Sequence, residues 1–365
     1  MHMELRFFII RRILLLIPTL IGLTLLTFIL MRALPTSLLL SQYVNPHSTL
    51  PRSVQIAHAR ALLGLNYPVP VQYFFYLAAL FHGQWGFMVS NFYTGPVLTG
   101  IEEFFPNTLQ LTIFAVILSV LISIPLGTYI GSKPNSVADH AGRIFSLAVY
   151  AMPAFVLALL FQIVFGRGAI TGNPLGIFPI SGTFNYALVP FPVPSWLVSP
   201  NTSALVSHPT HLIIFDALIH HDYAIAYSGL LHIVLPVLTL TLGILAGIVR
   251  FLRAGMMDNM RQEYVKTARA KGVPEKIIIK RHIRKNALIP TVTVLGLLFA
   301  SLLGGVVLIE DVFDYPGMGL LGINAITSYS IYGVMGVTLV FGLVLVFANL
   351  IVDVVYAFLD PRIRY

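Results

Sequence analysis

The sequence predicts an all-α, polytopic membrane protein with six transmembrane helices and both termini on the cytoplasmic side. Of its 365 residues, 57% are hydrophobic and only 10% are charged, whereas soluble domains carry roughly 25% charged residues. The formal net charge is +8. Residues 250–285 alone hold eleven Lys/Arg and three Asp/Glu and so carry the same excess. Because positive loops stay on the cytoplasmic side, this excess indicates membrane topology rather than nucleic-acid binding.

Six uncharged runs are long enough, at roughly 20 residues, to cross the hydrocarbon core as helices. They are Ile13–Met31, Phe104–Ser132, Ile144–Gly166, Tyr223–Val249, Asn286–Ile309 and the later part of Tyr315–Val352. The last span is predicted to begin near Gly333 and to end near Tyr356. The glycine-rich stretch Pro316–Gly333 is predicted to be a loop. Val71–Phe81 has only eleven residues, which predicts an interfacial or re-entrant segment rather than a seventh span.

The distribution of Lys and Arg gives the predicted orientation. Eighteen of them lie in segments that the six-span topology places inside. The four that it places outside are Arg32, Arg52, Arg60 and Arg167. Counting residues 71–81 as a further span would put the basic segment outside, against the preference of cytoplasmic loops for positive charge.

This topology divides the chain into three parts. Residues 1–32 form an N-terminal transmembrane helix, and residues 33–103 form an outer region with short helices. Residues 104–360 form a core with five transmembrane helices. The core includes a proline-rich outer insertion at 167–222 and a cytoplasmic loop at 250–286, which is the most informative part of the sequence.

The cytoplasmic loop is predicted to form a helix, a turn and a second helix. Residues 263–271 are good helix formers. Gly272 is suited to the end of that helix, and Pro274 to the first turn of the next one. The second helix changes from charged to apolar near Asn286 and continues into the fifth span.

The same loop combines small and basic residues in a way that suits contact with a partner protein. Small side chains let another backbone approach closely, and basic side chains surround them. The candidate docking residues are Glu263, Lys266, Ala268, Arg269, Lys271 and Gly272. The alternative is a basic loop held against anionic lipid, which would need basic residues but no cluster of small ones.

This loop resembles the cytoplasmic signature loop of the permease subunits of ATP-binding-cassette (ABC) transporters, of the type I importer kind. The similarity is most specific to the first permease subunit of the dipeptide/oligopeptide/nickel type. It extends over nearly the whole chain. Matching segments are Phe7–Leu30, Leu63–Pro68, Phe81–Gly86, Phe178–Gly182, Tyr315–Gly319, Asn349–Asp353 and Asp360–Arg364.

Three features depart from the family pattern. Lys266-Thr267-Ala268 stands where the general signature begins Glu-Ala-Ala, which is usual for this subfamily. Leu34-Pro35-Thr36-Ser37 stands where the family often has Pro-Gly-Asp-Pro. The proline-rich outer region is longer than the family norm, which leaves the class of solute open.

The resemblance implies a permease subunit of an importer in the cell membrane, with half of the transmembrane pathway for a peptide-like or oligosaccharide solute; nickel is a further possibility. It also implies a homologous second permease subunit, two ATPase subunits on the cytoplasmic loop and an extracytoplasmic substrate-binding protein. Besides these partners the chain contacts the lipid bilayer, and it contacts no nucleic acid. The alternative is a secondary carrier or channel without an ATPase, which often has inverted repeats and buried ionisable groups.

The sequence predicts no catalytic, cofactor or metal site in this chain. It contains no G-x-x-x-x-G-K-[ST] phosphate loop and no cysteine, so ATP would be bound by the partner subunits. Imidazoles and a carboxylate crowd one outer loop and could ligate a metal, but without a fixed ligand spacing a solvated loop is favoured. These residues are His208, His211, His220, His221 and Asp222.

Four acidic residues lie in or beside the last two spans. Glu310, Asp311 and Asp314 at the outer end of the fifth span are predicted to form a solvated rim; contact with a cationic solute or a docking protein is the alternative. Asp353 lies near the cytoplasmic end of the sixth span and is predicted to form an ion pair or stabilise the helix end. A role in transport is its alternative.

Overall fold

The computed structural model describes residues 5–41, 43–44, 48–168, 173–190, 192–198 and 207–359. This part of the chain is mostly helical, with one short hairpin of strands β1 (Phe87–Val89) and β2 (Thr94–Pro96). The helices before the outer insertion are α1 Leu5–Arg32, α2 Thr36–Ser41, α3 Arg52–Leu62, α4 Val69–Phe81, α5 Val97–Ser132, α6 Val137–Ala151 and α7 Ala154–Phe165. The later helices are α8 Ile213–Ile219, α9 Tyr223–Met260, α10 Glu263–Ala270, α11 Glu275–Ile277, α12 Arg284–Val312, α13 Met318–Thr327 and α14 Ile331–Leu359.

Within the described residues, three helices are long and apolar enough to cross a membrane: Val97–Ser132, Tyr223–Met260 and Ile331–Ile351. The bent pair α6 and α7 would be a fourth span. Many side chains in the first half of α1 and the middle of α12 lie outside the described residues. The protein is therefore a helical membrane protein with several spans, and the number six stays a prediction.

The structure corrects two of the predicted elements. The run Ile144–Gly166 is not one continuous helix, because α6 and α7 meet at an angle of 107°. Pro153 stands at this break and supplies no N–H for a continuing helix.

The stretch Pro316–Gly333 is not all loop, because α13 forms within it. Leu320, Leu321 and Ala325 of α13 are buried, so tertiary packing stabilises a helix despite the glycines.

The centre of the fold is the pair α5 and α9, which share the most extensive helix interface. Glycines bring their axes close: a Cβ at Gly127 would lie 3.1 Å from the Leu252 side chain. A Cβ at Gly131 would lie 2.8 Å from the Cβ of Met256. Helix α12 also packs on α9, where Gly255 approaches Ala287. We call the end of this bundle that carries residues 250–286 the basic end.

The opposite end is covered by the short elements of both predicted outer regions. Helices α3 and α4 pack on the end of α1 and the start of α14 through a cluster that includes Ala59, Tyr73, Phe28 and Met335. The segment between α7 and α8 consists, where described, of turns and two short 3₁₀ helices. The many prolines of this segment explain the lack of a long helix in its described part, because proline has no N–H to donate.

Candidate docking loop

In the loop at the basic end, α10 ends at Ala270 and Gly272 turns the chain away from it. Gly272 has a φ of +73°, the left-handed conformation that a side chain with a Cβ disfavours. Two hydrogen bonds close the helix end: Val273 N–H donates to the Ala268 carbonyl at 3.2 Å, and Gly272 N–H donates to the Arg269 carbonyl at 2.9 Å. This pair of bonds is the Schellman motif. It turns the chain sharply, and Pro274 precedes α11.

The second helix of the loop continues into α12 without a gap. Helix α11 passes into a π-helical turn at Ile278–Ile283, and α12 begins at Arg284. The predicted helix, turn and second helix are therefore present in the structure, and the second helix continues into α12.

One face of α10 is anchored in the protein's own core. Val265 is fully buried and Ala268 is 9% exposed. They belong to one apolar cluster with Leu252, Met256, Ile278, Ile283 and Ala287. The sequence suggested Ala268 as a residue in direct contact with a partner, but the structure turns it toward its own chain. Its small size allows α10 to lie close to the π-helical turn at Ile278–Ile283.

The other face of α10 and the turn that follows it are exposed and carry the remaining candidate residues. They are Glu263, Lys266, Arg269, Lys271 and Gly272. Ala270 is also exposed, and a Cβ added at Gly272 would meet no atom within 4 Å. The loop thus presents small and basic residues on one side, with room for another backbone to approach.

Ion pairs hold the exposed face in shape. Arg269 makes a bidentate contact with Glu275, with N–O distances of 2.7 and 3.1 Å, and so connects α10 to α11. Through these hydrogen bonds Arg269 lowers the pKa of the Glu275 carboxyl. Lys266 Nζ lies 2.7 Å from Glu263 Oε1. Exposed pairs contribute little to stability, so their main effect here is to orient side chains.

A buried ion pair that the sequence did not reveal supports the base of the loop. Asp139 of α6 is 0% exposed and accepts hydrogen bonds from Arg253 Nε and, at 3.0 Å, from Arg253 Nη2. Its Oδ2 also accepts from the Asn135 N–H at 3.0 Å. The Asp139 N–H donates to the N-capping Ser136 Oγ at 3.2 Å. The segment before α6 is thereby fixed to the last turns of α9.

The opposite end of the bundle contains a second buried carboxylate, Glu310, which is 0% exposed. Its Oε1 accepts from Thr108 Oγ1 at 2.5 Å. Its Oε2 accepts from the N–H groups of Gly319 at 2.6 Å and Leu320 at 3.2 Å. The Met318 N–H donates to Thr108 Oγ1 at 2.7 Å. Together these two side chains cap the start of α13 from α12 and α5.

Glu310 is therefore not part of a solvated rim, and the prediction for this residue was wrong. Asp311 and Asp314 are exposed, as a rim requires. The reason lies in the neighbouring glycines. A Cβ at Gly317 would lie 2.3 Å from Glu310 Cδ, and one at Gly319 would lie 2.5 Å from Val307 Cα. Only glycine leaves the space that α13 needs to reach the carboxylate.

Two residues of the histidine-rich outer loop have structural contacts of their own. Among the described residues, no group of three or more His, Cys, Asp or Glu side chains is placed to hold a metal ion. Asp222 instead caps α9 by accepting from the Ile225 N–H at 3.1 Å. His220 stacks on Trp196, with ring centroids 4.9 Å apart.

The side chain of Asp353 lies outside the described residues, so its predicted role is not tested.

Two family models match the chain. Residues 123–365 match the model described as "Binding-protein-dependent transport system inner membrane component". Residues 4–112 match the model of the N-terminal part of such membrane components.

Curated relatives match over almost their whole length. The dipeptide transport system permease protein DppB of Alkalihalophilus pseudofirmus is 33% identical over 358 residues, covering 97% of this chain and 98% of the relative. The oligopeptide transport system permease protein AppB of Bacillus subtilis is 32% identical, covering 98% and 99%. DppB of Escherichia coli K12 is 31% identical, covering 98% of both chains. The chain therefore belongs to the binding-protein-dependent transport system inner membrane components, as a permease subunit of an ABC importer in the cell membrane.

Proposed function

We propose that the chain forms half of a transmembrane pathway for short peptides, with a homologous second permease subunit forming the other half. An extracytoplasmic binding protein would deliver the peptide, and two ATPase subunits would bind ATP and drive transport. The relatives named for dipeptide and oligopeptide transport favour peptides over oligosaccharides or nickel. In this arrangement the chain is a non-catalytic subunit and needs no cofactor of its own.

We further propose that the ATPase subunits dock on the exposed face of α10. The observation that carries this proposal is the division of α10 into two faces. Val265 and Ala268 fix the helix to its own bundle, while Lys266, Ala270 and Gly272 remain open. A helix that is anchored on one side and exposed on the other can transmit a push from a partner into α9 and α12.

The test of this docking surface is a bulky substitution at Ala270. Ala270→Trp adds a large side chain to the exposed face without entering the protein's own core. Overpacking a close contact typically costs about 1–3 kcal/mol. We expect normal membrane levels of the permease, at least about tenfold weaker retention of the ATPase subunits in a pull-down, and loss of peptide uptake.

Two controls separate docking from other effects. Val137→Trp adds the same ring at an exposed site on the same end of the bundle and should leave assembly unchanged. Lys280→Gln with Lys285→Gln removes two exposed charges outside α10 and tests the lipid-binding alternative. If the charge variant abolishes assembly while Ala270→Trp assembles normally, α10 is not the docking surface.

The six-span topology, with both termini in the cytoplasm and the division of the chain at residues 32 and 103, is part of the proposal. It is supported by the lysine and arginine distribution and by the several apolar helices. Because the chain has no cysteine, single cysteines can report each side of the membrane directly.

We expect cysteines at Val137 and Gln262 to be protected from an impermeant thiol reagent in intact cells. Cysteines at Ser53 and Leu175 should react. All four sites are exposed on the protein surface, so a lack of reaction reflects the membrane barrier; permeabilised cells should label all four. Labelling of Gln262→Cys from outside would exclude the proposed orientation.

A further inference from the structure

A cavity of about 480 Å³ lies at the end of α1 opposite the basic end. Its walls come from the last turns of α1, from α3 and α4, and from the first turns of α14. The polar side chains that line it include Arg32, Tyr43, Gln72, Tyr76 and Tyr332. The proposed transport mechanism gives this cavity no role.

Arg32 is the one charged side chain among the described residues that line the cavity. Arg32 donates through Nη2 to the Gln72 side-chain oxygen, and the Gln72 amide donates to the Tyr67 carbonyl at 2.5 Å. Among the described residues, no Asp or Glu lines the cavity, and none forms a salt bridge with Arg32. A half-buried guanidinium held in this way has donors left for an anion, and phosphate matches its planar fork.

Phenolic hydroxyl groups supply further donors. Tyr76 is 7% exposed, and its hydroxyl has no hydrogen-bond partner among the described residues. Burial raises the pKa of Tyr43 to about 12, so this hydroxyl stays protonated. A buried hydroxyl without a partner is rare in folded proteins and indicates that a ligand or ordered water completes the site.

The surroundings of the cavity are apolar and face outward. Phe75, which lines it, and Phe74 are largely exposed on α4. Leu26, Ile29 and Leu30 are exposed along the last turns of α1. Arg32 ends this apolar helix, which is where lipid headgroups meet the hydrocarbon core. Aromatic side chains are frequent at this depth.

We propose that this cavity binds the phosphodiester of an anionic phospholipid, with Arg32 on the phosphate and the tyrosine hydroxyls on a hydroxylated headgroup. Phosphatidylglycerol has the matching chemistry. Phosphatidylethanolamine fits less well, because its ammonium group would find no carboxylate among the lining residues. The site would tie the first helices to the lipid surface and is independent of the docking surface on α10.

The test uses the complete, delipidated importer in detergent. Phosphatidylglycerol, phosphatidylethanolamine and inorganic phosphate are titrated separately, and bound lipid is counted by native mass spectrometry. We expect saturable binding of phosphatidylglycerol, weaker binding of phosphatidylethanolamine and no competition by millimolar inorganic phosphate. Arg32→Gln removes a charge-assisted contact and should weaken the phosphatidylglycerol affinity at least about tenfold.

Two further variants keep the result interpretable. Arg60→Gln removes an exposed arginine from α3 and should bind phosphatidylglycerol like the parent. Arg32→Lys keeps the charge and should recover part of the affinity, whereas a general folding defect would not be rescued. Equal lipid binding by parent and Arg32→Gln would overturn the proposal. Competition by inorganic phosphate would instead assign the site to a free anion.

Discussion

Asp139→Ala is expected to destabilise the permease and to loosen the base of its docking loop. Asp139 is 1% exposed at its side chain and Arg253 is 18% exposed. Removing the carboxylate leaves a largely buried guanidinium without its partner and the Asn135 N–H without its acceptor. Breaking a buried ion pair from one side costs about 3–5 kcal/mol. The partial exposure of Arg253 reduces this to about 2–3 kcal/mol.

A double-mutant cycle distinguishes the pair from two independent residues. Arg253→Met and Asp139→Ala should each lower the midpoint of thermal unfolding in detergent. The double variant should lose less than the sum of both, because the Arg253 guanidinium is removed together with its acceptor. Asp258→Ala removes an exposed carboxylate from the same helix and should change little. Additive losses in the cycle would show that the two side chains do not act as a pair.

The same variants link the base of the loop to docking. If the Asp139–Arg253 pair positions α10, Asp139→Ala should weaken retention of the ATPase subunits even under conditions where the permease stays folded. The docking face itself is unchanged in this variant, so a defect in assembly would come from position rather than from lost contacts.

Features that depend on neighbouring residues could be read from the sequence. The helix before Gly272 and the turn at Pro274 follow from local preferences, and the structure contains both. The sequence could not predict which face of α10 is exposed. Helix α10 has only 8 residues. Its sequence has no apolar stripe wide enough to show that Ala268 points inward.

Contacts between distant parts of the chain could not be predicted from local sequence preferences. Asp139 and Arg253 are separated by more than 100 positions, and nothing local marks either residue as half of a pair. A partial signal exists at Ser136, because serine three residues before an acidic residue is typical of a helix start. For the bend between α6 and α7 the signal was Pro153, but proline alone does not distinguish a kink from a sharp break.

Glu310→Ala is expected to destabilise the permease more than Asp139→Ala does. The change leaves the Thr108 hydroxyl and the N–H groups of Gly319 and Leu320 without their acceptor. Each unsatisfied buried donor costs about 1–3 kcal/mol, and the missing side chain leaves a cavity as well. A total loss of at least about 4 kcal/mol follows, which is comparable to the whole stability of many folded domains.

Three matched variants test this explanation. Asp311→Ala removes the neighbouring, exposed carboxylate and should be tolerated. Glu310→Gln keeps the shape and one acceptor oxygen, so it should fall between the parent and Glu310→Ala. Gly319→Ala keeps the carboxylate but places a Cβ 2.5 Å from the Val307 Cα, so it should destabilise α13 by steric overlap.

The measurement is the amount of folded protein in the membrane and its thermal unfolding midpoint, taken together with peptide uptake. If Glu310 caps α13, Glu310→Ala should lower the thermal unfolding midpoint and the amount of folded protein, because α13 would separate from α5 and α12. Peptide uptake should fall as a consequence. A solute-binding role would require the opposite pattern, with a stable protein and a raised KM for uptake. Glu310 is 0% exposed and all three of its described hydrogen bonds are to its own chain. The structure therefore favours the first pattern, and normal stability of Glu310→Ala with impaired uptake would refute the capping role.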